Sequence, residues 1–145
     1  MTPKKRPYVS LILATKTARP SLVEFMKERP SWRVSQLEMC DPYGWHELDA
    51  AAVAEIKNRL RSFESMTWSE ILVRDREENH RIQVQDICAK ARERLISIRQ
   101  DDIDHLVSLR VTGRRRMWGI EDGSVLKLLW WDPEHEICPA PKKGT

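Results

Sequence analysis

The sequence lacks any apolar run of the roughly 18 residues or more that a membrane-spanning helix needs. A short apolar stretch, Tyr8 to Ala14, follows the basic start MTPKKRP, but it is at the lower limit for a secretory signal and its small-residue cleavage pattern is poor. Residues 1–20 therefore read as a basic arm, and the expected location is the cytoplasm with no membrane partner. Paired cysteines are also missing. Cys40, Cys88 and Cys138 are odd in number, widely spaced and form no CxxC, which argues against a disulfide scaffold and suits a reducing compartment. His135 and Cys138 have an HxxC spacing, but two further ligands would have to come from elsewhere, so no metal or cofactor is expected. Charge of one sign is lacking too: 25 basic and 22 acidic residues leave a formal net charge of only +3. Such an excess does not by itself indicate nucleic-acid binding; its placement must. Neither internal repeats nor low-complexity segments occur, which excludes solenoids and linker-like chains.

What is present suits one domain over residues 21–145, since 145 residues with 41% hydrophobic content can bury a substantial core. Ser21 and Glu24 have capping-box spacing, and Pro30 stops the helix they would start. SWRVSQLEM reads as a strand, broken by the turn formers of CDPYGW. Val53, Ile56, Leu60 and Phe63 recur at three- and four-residue steps, predicting a helix over 49–63 with one core-facing stripe. TWSEIL opens a short helix, with Thr67 and Glu70 again at capping-box spacing, and residues 74–79 read as a loop. A further helix is expected over 84–99, with Val84, Ile87, Ala91, Leu95 and Ile98 inward and Lys90, Arg92, Glu93 and Arg99 in solvent.

The last third changes period. In HLVSLRV, Val107, Leu109 and Val111 share one strand face, and Ser108 and Arg110 take the other. RRRMWGI continues as a strand after a Thr112–Gly113 turn. Asp122–Gly123 is a strong hairpin signal leading into VLKLLWW, and a short strand HEIC is expected after Pro133. The resulting class is α+β, with helices packed on a three- to four-stranded antiparallel sheet.

The pattern LxSLRVxGxxRxWGIxxGxxLxLLWW, preceded by two helices, resembles the core of the RelE/ParE-like toxin superfamily over residues 84–139. That resemblance implies a RelE-like fold and a messenger-RNA-cleaving toxin, often acting on the ribosome and neutralised by an antitoxin protein. Arg110 and Arg116 match the family's strand arginines, and His135 lies near its basic or histidine position after the apolar strand. Where many members carry an arginine and a terminal tyrosine, this chain has DPEHEIC. That difference shifts the expected chemistry toward histidine and carboxylate.

Metal-independent RNA cleavage needs a base for the 2′-hydroxyl proton, a cation for the phosphorane charge and an acid for the leaving oxygen. The candidate catalytic residues are His135, Arg116, Asp132 and Glu134. If HEIC is a strand, Glu134 and Glu136 share a face opposite His135, which leaves Asp132 or a neighbouring strand as its partner. Candidate RNA contacts are Arg110, Arg114 and Arg115 for phosphates, Trp118 or Trp131 for base stacking, and Lys142 and Lys143 of the tail. Each feature also has a structural reading. The arginines can be a solvated strand start, His135 a hydrogen-bonding turn residue, Asp132–Pro133 a turn initiator, and Trp32, Trp45 and Trp68 plain core. His46, His80 and His105 stand alone in the sequence. The rival function is a non-catalytic nucleic-acid-binding or protein-interaction domain on the same frame.

Overall fold

The computed structural model describes residues 25–139. The basic arm, the Ser21/Glu24 pair, Lys142 and Lys143 lie outside the described residues. Strands β1 (Ser31–Arg33), β2 (His80–Gln83), β3 (His105–Thr112), β4 (Arg115–Asp122) and β5 (Val125–Asp132) form one sheet of order β1-β5-β4-β3-β2. The expected meander is its centre, but the sheet has five strands and is mixed. β1 pairs parallel to β5, and β2 pairs antiparallel to β3. Only three residues of SWRVSQLEM are strand, and HEIC is turn and coil rather than a further strand.

Both tight connections begin one residue later than expected, at Gly113–Arg114 and Gly123–Ser124. Gly113 and Gly123 have φ of 51° and 63°, while the residue after each does not have positive φ. Glycine first with an ordinary residue second is the pattern of a type II′ hairpin, rather than the type I′ turn suggested by Asp-Gly. Asp122 therefore ends β4 instead of occupying the turn.

Helix α1 (Ala50–Glu64) starts where Asp49 accepts the Ala52 N–H at 2.8 Å, a cap worth about 1 kcal/mol. Its Ile56 and Phe63 are buried and Leu60 packs beside them, whereas Val53, expected in the same stripe, stays exposed. The region expected as one helix over 84–99 is divided. A 3₁₀ turn (Val84–Asp86) precedes α2 (Ala89–Ser97), and Ile87 and Cys88 between them are extended. Ile87, Ala91 and Leu95 are nonetheless buried, so the inward stripe survives the break. Thr67 and Glu70 do form the reciprocal box, with bonds of 2.9 and 3.2 Å, at the start of a π-helical turn (Glu70–Arg74).

The sheet is covered on both faces. Val107, Leu109, Val111, Met117 and Trp131 pack with Ile56 and Phe63 of α1. Leu106, Trp118, Ile120 and Trp130 pack with Ala91 and Leu95 of α2. Alternation along each strand makes this possible. Partly buried ion pairs link elements distant in the sequence. Arg94 of α2 forks onto Glu38 at 2.8 and 2.7 Å, and Arg81 forks onto Glu121 at the same two distances, with His105 Nε2 adding 2.9 Å. Among the described residues, no helix is long and apolar enough to cross a membrane.

Candidate functional site

Cross-strand register builds the site. His80 opposes Ser108, Ser108 opposes Trp118, and Trp118 opposes Trp130. The neighbouring row is Arg110, Arg116 and Asp132. An extra residue in β5, Leu129, breaks the register between the Trp118 and Gly119 pairs. A bulge of this kind re-aims every side chain beyond it. Leu126 and Leu128 face α1, Leu129 and Trp130 both face α2, and Trp131 returns to the α1 side. Asp132 is thereby delivered to the same face as Trp118 and Arg116.

Asp132 is buried and organises the chain that follows. Its carboxylate accepts the Glu136 N–H at 2.8 Å, the Ile137 N–H at 3.1 Å and the Trp118 indole N–H at 3.3 Å. The Cys88 N–H closes the other end by donating to the Ile137 carbonyl at 2.7 Å. Between these clamps His135 takes φ 58°, a left-handed conformation rare outside glycine. On the facing wall, buried Asn79 donates to the Ile71 carbonyl and accepts the Arg110 N–H. It thus fixes the residue just before His80.

The result is a cleft of about 770 Å³ between β2, β4, the 3₁₀ turn and the segment after β5, lined by His80, Arg81, Ser108, Arg116, His135 and Cys138 among others. Burial lowers the His135 pKa from the ordinary 6.5, and Arg116 and His80 lower it further, while Asp132 opposes them. Burial also lowers that of His80; the Glu77 backbone opposes this and Arg116 reinforces it. The two imidazoles and the guanidinium therefore act on one another electrostatically.

The arginine triplet does not act as a unit. Arg114 pairs with Glu134 at 3.1 Å in solvent, outside the cleft lining. Arg115 turns to the other face and meets Glu55 of α1 at 2.6 Å. Arg110 lies 3.7 Å from Glu78. Arg116 differs: among the described residues no carboxylate lies within ion-pair distance of it, and its Nη1 donates to the Gly113 and Arg115 carbonyls. Burial and the nearby Arg110 charge disfavour its charged form, and Asp132 and Glu78 offset this only in part, so an incoming anion would relieve the remaining cost.

Of the four candidate catalytic residues, the fold brings His135 and Arg116 to one cleft, with Asp132 beneath them as a backbone acceptor. Glu134 is held apart by Arg114. The stacking role for tryptophan requires correction. Trp118 borders the cleft but is 0% exposed, and Trp131 is 7% exposed, because the two helical layers cover both sheet faces, so neither offers an open ring face to a base. Trp130 is buried as well, so both members of the Trp130–Trp131 pair are core. His80 stood alone in the sequence; it reaches the cleft through β2, whose pairing with β3 no local pattern announced. His105 is taken up by Glu121. His46 lies 3.5 Å from Asp41 and 3.6 Å from Glu47 on an exposed loop, where the three could offer ligands to a cation. Comparison with protein-family models, curated proteins and solved structures gives no significant match, so the residues themselves carry the functional reading.

Proposed function

We propose that the protein is an RNA-cleaving endonuclease of the kind found in the RelE/ParE-like toxins it resembles, acting without a metal and held inactive by a partner protein. The observation that carries this reading is a partly buried Arg116 that shares one cleft with imidazole groups and, among the described residues, has no carboxylate within ion-pair distance. Arg116 would neutralise the charge that builds on the phosphorane, and a preorganised cation in a partly desolvated site is well suited to this. His135 would transfer a proton at the 2′-hydroxyl, with Asp132 holding its loop in place. The cleft is large enough for a nucleotide unit.

The reading is tested by expressing the chain without any partner, on the ribosome-containing background of a growing cell. Growth arrest with new RNA ends is expected, and His135→Ala should remove both while the fold persists. Loss of a proton-transfer group typically costs roughly 10²–10⁴-fold in rate. Normal growth and intact RNA would instead favour the second reading, a binding domain. That reading draws on the short β2 strand, which leaves one side of the sheet unpaired among the described residues.

A further inference from the structure

We infer that His80 is the second proton-transfer group of this cleft: the acid that protonates the leaving 5′-oxygen, opposite His135 as the base. The inference rests on the RNA-cleavage reading and extends it to a residue on a separate strand. Its ground is placement. His80 opens β2 and sits across from Ser108, one residue row from Arg116, while His135 enters from the segment beyond β5. Both imidazoles line the one cleft, with Arg116 contributed by the strand between their walls. In-line displacement at phosphorus requires base and acid on opposite sides of the phosphate, with the stabilising cation between them.

The roles follow from the surroundings. His135 has the Asp132 carboxylate near it to stabilise the imidazolium formed on accepting a proton. Asp132 does not act on His80 in this way. The charged and titratable groups lining the cleft with His80 are Arg76 and Glu77 from the preceding turn, Arg81 from its own strand, Asp86 from the 3₁₀ turn, Arg116 from β4, and His135 and Cys138 from the C-terminal segment. The Arg116 charge makes protonated His80 a readier donor. In the step itself, the 2′-oxygen forms a bond to phosphorus as its proton passes to His135. The bond from phosphorus to the 5′-oxygen breaks, and that oxygen takes the proton from His80. A 2′,3′-cyclic phosphate and a 5′-hydroxyl result. Proton exchange with water then resets the two rings, and no oxidant or co-reactant is consumed.

The test compares two substrates: a mixed-sequence oligoribonucleotide, whose leaving alkoxide needs an acid, and ribonucleoside 3′-(para-nitrophenyl) phosphates, whose leaving phenolate does not. His80→Ala and the closer-shaped His80→Gln should lose roughly 10²–10⁴-fold on the oligonucleotide and stay near wild type on the aryl esters. His135→Ala should lose on both. For the wild type, the decline in rate at high pH that marks a required acid should appear with the oligonucleotide and be absent with the aryl esters. Equal loss of the His80 variants on both substrates, or loss on neither, would overturn the assignment. Wild-type protein inert toward both would overturn the cleavage reading itself and this inference with it. Near-ultraviolet circular dichroism of the buried tryptophans separates a folded variant from a collapsed one.

Discussion

Asp132 shows how a residue at a site can matter through the backbone it holds. Sequence alone allowed it to be a catalytic partner or a turn initiator. The structure places it as the acceptor of three N–H groups, two of them from the loop that carries His135. A hydrogen bond to a charged group is worth about 1.5–3 kcal/mol, so Asp132→Ala should lower stability by at least that amount and remove activity together with it, read by denaturant melts and cleavage assays. Asp132→Asn keeps an acceptor oxygen and should recover part of the stability. A stable Asp132→Ala protein would show that the loop is held by other contacts. The arginines teach a related lesson. Four basic residues near one hairpin suggested a phosphate-binding patch, yet three face carboxylates. Glu55 and Glu78 lie far away in sequence, and nothing local announces those pairings.

At the scale of elements, what could be read from the sequence was whatever depends on neighbours in the chain. The alternation of β3, β4 and β5, the stripe of α2 and the Asp49 region of α1 all rest on local periodicity or capping. Long-range pairings were not legible: the parallel β1, the edge strand β2 that carries His80, and the division of the helix expected over 84–99. The Leu129 bulge was equally hidden, although it decides which face Asp132 and Trp130 take. Gly119 lies next to that bulge, and a β-carbon there would come within 2.7 Å of the Leu126 side chain and 2.8 Å of the Lys127 carbonyl. Gly119→Ala should therefore destabilise by about 1–3 kcal/mol, and an unchanged melting temperature would mean that β4 and β5 are not paired in this register. Gly123→Val should also destabilise, since its φ of 63° strains any β-branched residue.

For the whole molecule, the charge pattern sets a pH response. Burial alone would raise the Glu121 carboxyl, but the Arg81 fork and His105 outweigh it and hold its pKa below the ordinary 4.5. His80 and His135 are likewise held below 6.5. In each case the folded chain binds fewer protons than the unfolded chain within the shifted interval, so stability rises with pH there. The histidine contributions are complete above about 6.5 and disappear as pH falls through the folded values; that of Glu121 follows the same course below about 4.5. A urea-melt series should show stability beginning to fall just below pH 6.5, and the His80→Gln/His135→Gln double variant should flatten that first decline. An unaltered profile in the double variant would mean that neither ring is buried in the folded chain.

Attack by a 2′-hydroxyl in the cleft of His80, Arg116 and His135 is the central step of the proposed reaction. The most direct measurement incubates the purified protein, with and without ribosomes and in the presence of a chelator, with matched RNA and 2′-O-methyl RNA of mixed sequence. Cleavage of the RNA alone, unaffected by the chelator and leaving cyclic phosphate or 3′-phosphate ends, is the predicted result. Intact RNA under both conditions, or equal cutting of the methylated strand, would contradict it.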